Sequence, residues 1–134
     1  MTSMRIKTSR SPCIPISWGE LFDKISILEI KKDLVIKEDA KQNIWHEFNL
    51  LNSAIPQRIL NNSEVLALRH QLKEINQKIW NIENEIRIKE SKKEFTDRFI
   101  ELARNTYLEN DRRAAIKKQI NIMLNSAVVE EKVY

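Results

Sequence analysis

The sequence predicts an all-α fold: long antiparallel helices with coiled-coil-like packing, forming a helical bundle. Three observations carry this. The chain has 134 residues but only one Gly and three Pro, so tight turns are scarce and long helices with short links remain. Hydrophobic residues make up 42% and charged residues 31%, the composition of a folded domain. Ser63–Glu90 reads SEVLALRHQLKEINQKIWNIENEIRIKE, without a Gly or Pro. In it Val65, Leu68, Leu72, Ile75, Ile79, Ile82 and Ile86 recur at alternating steps of three and four. That is a heptad seam, and it predicts a helix roughly 42 Å long at about 1.5 Å per residue.

The elements follow in order. Residues 1–13 are small, polar and basic without a period, and are expected to form a flexible basic arm; Arg5, Lys7 and Arg10 lie there. A helical domain is expected over 14–126. It opens at Ile14–Leu21, IPISWGEL, where Ser17 and Glu20 have capping-box spacing and Ile16 can staple onto Leu21. The first helix should run to about Ile36. Leu21, Phe22, Ile25, Leu28 and Val35 form one apolar face and Ile27, Ile30 and Leu34 another, so this helix is expected between two neighbours. A second helix should span about Ala40–Ala54 and stop before Pro56. Residues 56–62 then link to the rod, with Ser63 as its expected N-cap. After the turn at Ser91-Lys92-Lys93, the last helix should run from about Glu94 to Asn125. Residues 127–134 are expected to be an extended C-terminal tail.

The polar residues within these helices carry the functional argument. In the last helix Phe95, Phe99 and Leu102 open an apolar stripe, and Ile116, Ile120, Met123 and Leu124 close it. Between them Thr106, Asn110, Arg113 and Lys117 stand where aliphatics belong. Either the helix breaks at Asn110-Asp111 or this section faces something polar. A buried unpaired charge costs several kcal/mol, so Arg113 and Lys117 need carboxylates, solvent or an anion. Glu20 and Lys24 form an i,i+4 pair on a polar wedge of the first helix. Glu83 and Arg87 form another on the rod, within a second stripe that includes Arg69, Lys73, Asn76 and Trp80. The candidate anion site is therefore Glu20, Lys24, Glu83, Arg87, Arg104, Asn110, Arg113 and Lys117.

Several function classes find no support. With Gly19 as the sole glycine there is no phosphate-cradling Gly-rich loop and no nucleophile elbow. One Cys and two separated His give no recognised zinc motif, so no metal or other cofactor is expected. No apolar run approaches the roughly 20 residues that span a bilayer. The lone Cys13 and the lack of an apolar leader point to a cytoplasmic setting and no membrane partner. Net charge is +4, and without the three basic residues of the arm the chain is nearly neutral, which argues against a nucleic-acid partner.

Four blocks also resemble a known family: ISWGELFDKISILEIKK (16–32), IWNIENEIR (79–87), FIELARNTYLENDRRAAIKKQIN (99–121) and VVEEKVY (128–134). The family is one of short bacterial and phage-borne proteins filed as a domain of unknown function. The resemblance implies an all-helical protein and lends no catalytic residues. It also draws attention to Trp18, Asp23, Trp80, Tyr107 and Asn121. At Asn84 the family pattern favours an acid.

Two functional expectations result. The first is a non-enzymatic oligomeric interaction or adaptor protein, with the seam of Val65, Leu68, Leu72, Ile75, Ile79, Ile82 and Ile86 joining copies, a homodimer favoured, and a protein partner docked on it. The alternative is a small helical enzyme or an anion binder, for phosphate, carboxylate or sugar phosphate, with a polar site between helices.

Overall fold

The computed structural model describes residue 6 and residues 10–134. Most of the basic arm expected over 1–13, including Arg5 and Lys7, lies outside the described residues. Five helices follow in order: α1 (Trp18–Leu34), α2 (Glu38–Asn52), the one-turn α3 (Gln57–Leu60), α4 (Ser63–Ser91) and α5 (Asp97–Met123). All regular structure among the described residues is helical.

The frame is an antiparallel hairpin of α4 and α5. Arg98 of α5 meets Glu85 of α4, and Arg113 meets Asn76, so numbers rise on one helix as they fall on the other. The turn between them is compact. Glu94 N–H donates to the Lys89 carbonyl at 2.9 Å and Lys93 N–H to the Glu90 carbonyl at 3.0 Å, with Lys93 at φ 56°. This is a Schellman-type stop with a lysine where glycine is usual. The reversal starts α5 at Asp97, a few residues later than the sequence suggests.

α1 packs across the hairpin instead of running in register with it. Glu29 pairs with both Arg69 and Lys73, while Asp23 and Ser26 share Asn76. The core cluster joins Leu21, Phe22 and Ile25 of α1 to Val65, Leu68, Leu72, Ile75 and Ile79 of α4 and to Ile116 and Ile120 of α5. α2 covers the other side of α1 with Phe48 and Leu51, and Lys32 of α1 lies over the Trp45 and Phe48 rings at 3.9 and 3.8 Å. The two apolar faces of α1 are thus both used, although Leu34 at its end stays exposed.

Five of the seven seam residues, Val65 to Ile79, are therefore buried within one chain. Ile82 and Ile86 are half-buried. Beyond Ile79 no residue of α4 is buried, and the hairpin continues as a two-helix arm that α1 does not reach. Ile88, Phe95, Ile100 and Tyr107 are each more than half exposed on it.

Boundaries differ from expectation where local hydrogen bonding decides them. Asn62, not Ser63, caps α4, its Oδ1 accepting from Glu64 N–H and Val65 N–H at 3.0 Å. The link before it winds into α3 and delivers Ile55 and Ile59 to the core. α1 ends at Leu34, two residues early, and α2 begins at Glu38. α5 passes through Asn110-Asp111 without a break.

Lys93 carries the steric cost of a left-handed backbone, about 1–2 kcal/mol for a residue with a Cβ. Lys93→Gly is expected to raise stability by about 0.5–1 kcal/mol, part of the relief being offset by the greater freedom of glycine in the unfolded chain. A urea midpoint that rises at unchanged slope would show it.

Candidate functional site

The site begins with the sole glycine. Gly19 sits in the first turn of α1 against α5, where a Cβ would lie 2.6 Å from the Lys117 carbonyl oxygen and 2.9 Å from Asn121 Oδ1. Only a residue without a side chain fits there. The contact lets Gly19 N–H donate to Asn121 Oδ1 at 2.7 Å. Trp18 N–H donates to Ser126 Oγ at 3.0 Å, and Glu20 N–H to Ser17 Oγ at 3.1 Å. These first N–H groups of α1 are thus satisfied by side chains of the protein itself. The Ser17 half of the expected capping box is present, while the Glu20 carboxylate turns toward Lys117 instead.

Asp23 and Ser26 of α1 face the hairpin as a buried polar patch. Asn76, 4% exposed, is the hub. Its Nδ2 donates to Asp23 Oδ1 and to Ser26 Oγ, both at 2.7 Å, and its Oδ1 accepts from Arg113 at 3.0 Å. Arg113 also donates to Asn110 Oδ1 at 2.7 Å. One turn along α5, Lys117 Nζ meets Glu20 at 2.7 Å, Asp23 at 3.4 Å and Glu130 at 3.2 Å. Lys24 flanks Glu20 at 3.7 Å.

The two cations are treated differently. Lys117 has three carboxylates. Arg113 has only amide oxygens, and among the described residues no carboxylate lies within ion-pairing distance of it. Burial by itself would lower the Lys117 ammonium, but the hydrogen bond it donates to Glu20 and the charges of Asp23 and Glu20 outweigh it, and the group is held above its ordinary value. Burial would likewise raise Glu20, but Lys117 and Lys24 outweigh it and hold the carboxyl below its ordinary value. Both groups are therefore charged across the neutral range.

Beside this cluster α5 and the tail enclose a cleft of about 410 Å³. Asn110, Arg113, Lys117, Lys118 and Asn121 line its α5 wall, and Glu130, Glu131, Lys132 and Tyr134 line the other. The tail reaches this position because α5 stops in another Schellman-type turn. Ser126 N–H donates to the Asn121 carbonyl at 2.9 Å, with Asn125 at φ 50°. The chain then folds back along α5, Glu130 beside Lys117 and Lys132 beside Asp111. Residues 127–134 carry no regular structure and lie along the helix.

Of the expected site, the structure brings Glu20, Lys24, Asn110, Arg113 and Lys117 together. Glu83 and Arg87 do not join them. They line a separate groove on the arm with Ile86, Glu90 and Thr106, two turns of α4 or about 10 Å beyond Asn76. Arg104 lies on another face of α5 with Ile100 and Leu108. The expected set omits Asp23, Ser26, Asn76, Asn121 and the tail residues Glu130 and Lys132. Asp23 and Asn121 are marked by the family resemblance, and Asn76 belongs to the second stripe of the rod. Nothing in the sequence marks the tail as a wall.

A model of the family of unknown function DUF6165 matches residues 13–134. The chain belongs to this family. The match covers the whole polar cluster and the tail. No curated protein and no solved structure matches the chain. No helix among the described residues is long and apolar enough to cross a membrane.

Two predictions follow from this packing. A Gly-to-Ala change inside a helix ordinarily gains about 1 kcal/mol. Gly19→Ala is expected to lose about 2–3 kcal/mol instead, because the Lys117 backbone must retreat; chemical denaturation gives the sign directly. The Glu20–Lys117 pair sets a pH window. Glu20 is lowered, so its contribution is complete above the ordinary carboxyl value of 4.5 and drains as pH falls through the lowered one. Lys117 is raised, so its contribution is complete below 10.5 and drains as pH rises through the raised value. Lys117→Met should cost about 2 kcal/mol at neutral pH, less than a fully buried pair because Lys117 and Glu20 keep 14% and 31% exposure. The gap between the two melting curves should narrow at both acid and alkaline extremes.

Proposed function

We propose that the protein is a small-anion binder whose ligand, a phosphate- or carboxylate-bearing compound of sugar-phosphate size, binds on the α5 wall of the cleft that the tail covers. Arg113 carries this reading. Arg113 lines the cleft, the direction of its guanidinium is fixed by Asn76 and Asn110, and among the described residues its charge is answered only by their neutral oxygens. A guanidinium held in one orientation with donors to spare suits the paired oxygens of phosphate or carboxylate. Lys117 and Lys118 extend the positive wall by one turn. The first turn of α1 takes no part, since its N–H groups are already bonded. We assign the protein to the cytoplasm on the strength of its single exposed cysteine.

A second reading, a non-enzymatic homo-oligomer that docks on a protein partner, is favoured by the arm. Ile88, Phe95, Ile100 and Tyr107 leave apolar surface on a two-helix projection. Any joining of copies would use that surface and the half-buried Ile82 and Ile86, because Val65 to Ile79 are spent on the chain's own core.

Native mass spectrometry of gently purified protein separates the readings. The anion binder is expected to carry reproducible added mass, and its melting temperature should rise with inorganic phosphate, glucose 1-phosphate or citrate. Both effects should vanish in Arg113→Met. They should weaken in Lys118→Gln, whose exposed position spares the fold. A clean dimer or tetramer, with no added mass and no thermal shift by any of the three compounds, overturns the anion reading in favour of the oligomer.

A further inference from the structure

We propose that the tail is a built-in occupant of this cleft: the Glu130 carboxylate holds the anion position on Lys117, and a ligand enters by displacing it. This inference rests on the anion-binding reading above.

The tail is held at few points. Past Ser126 its backbone makes no hydrogen bond to the rest of the described chain. Val133 and Tyr134 are 86% and 103% exposed, while Val128 and Val129 are partly covered at 43% and 42%, so apolar burial contributes only at the start of the tail. What remains are three lysine–carboxylate pairs. Glu130 meets Lys117 at 3.2 Å, Glu131 meets Lys118 at 3.7 Å, and Lys132 meets Asp111 at 2.5 Å. The side chains of Glu130 and Glu131 are 63% and 66% exposed. Pairs of this kind are weak and salt-screened.

The three carboxylates around Lys117 are not equivalent. Glu20 and Asp23 are fixed on α1, and Asp23 is further held by Asn76. Glu130 alone comes from a segment without regular structure. It can leave while the packing of α1 on the hairpin stays intact. An oxygen 3.2 Å from the lysine nitrogen, on the open side of the cleft, is where a ligand oxygen would sit. Lifting the tail also removes both glutamates from the wall, leaving Arg113, Lys117 and Lys118 facing the space. With the tail down, Glu130 and Glu131 offset part of the charge of the α5 wall; with it lifted that wall is more cationic, so a bound anion favours opening.

The test uses the full chain, with inorganic phosphate as probe and ionic strength held constant with sodium chloride, so that screening does not open the tail by itself. In Glu130→Gln/Glu131→Gln the phosphate affinity should rise about tenfold, because the competent open form is no longer a minor population. Nitrogen-15 relaxation reports the tail independently. Residues 128–134 should be ordered in the parent protein and mobile, with order parameters below about 0.6, in the double variant and in the phosphate-bound parent. A tail already mobile in the parent, or a phosphate affinity unchanged by the double variant, overturns the displacement proposal and leaves the cleft as an anion site. An ordered tail with no phosphate binding by either protein overturns the anion site itself, and the proposal with it.

Discussion

The missing side chain of Gly19 sets the geometry on which the rest depends. A helix start can rest directly on the backbone of another helix only where no Cβ intervenes. Here that contact brings the first turn of α1 onto the Lys117–Asn121 stretch of α5. Once it is made, Asn121 and Ser126 take up N–H groups that would otherwise need water, and Glu20 and Asp23 arrive beside Lys117. The position of α1 across the hairpin, the neutralisation of Lys117 and the turn that launches the tail all follow from one close approach. The contact also uses up the helix start, so the anion-attracting end of α1 is directed at the protein's own oxygens.

The polar layer beneath it has a structural role of its own. Asn76 lies among Leu72, Ile75 and Ile79 in a region that aliphatics could fill. Burying an amide, a carboxylate and a guanidinium together costs desolvation, and a well-packed apolar layer of the same volume is often more stable. What the network provides is uniqueness. Asn76 is satisfied only when Asp23, Ser26 and Arg113 are all in place, so sliding α5 along α4 by one heptad leaves buried polar groups unpaired. The aliphatic seam alone repeats every seven residues and would tolerate that slip.

Much of this was legible in the chain. The heptad run, the Ser17 cap, the links and the polar interruption of the last helix are local patterns, and local patterns survive into structure. The interruption at Asn110, Arg113 and Lys117 left two outcomes open, a break or a polar neighbour, and the unbroken α5 facing Asn76 and Glu20 is the second. Other features depend on partners far away in sequence. Glu83–Arg87 has the same i,i+4 spacing as Glu20–Lys24, yet one lies on the arm and the other at the cluster, because only the crossing of α1 distinguishes them. The seam could serve a second copy or the same chain with equal local logic. Within the chain Val65 to Ile79 are covered jointly by α1, α3 and α5, while Ile82 and Ile86 are only partly covered. Asn62 outcompetes Ser63 as a cap by reaching two N–H groups at once, a matter of loop geometry.

Arg113 and Lys117 show how one helix face gives two neighbouring charges different surroundings. They lie one turn apart on α5 and both contact the network that anchors α1. Lys117 sits beneath the α1 start, where fixed acids surround it, and it is needed wherever α1 docks. Arg113 sits one turn further toward the arm, where α4 supplies the Asn76 amide and α1 supplies no acid. Had the fold required a paired charge at that point, an aspartate at position 76 would provide it with the same reach. The amide instead fixes the direction of the guanidinium while leaving its charge uncancelled. A positive group that is oriented by the core, faces a cleft and has no carboxylate partner among the described residues is what supports the proposed external anion.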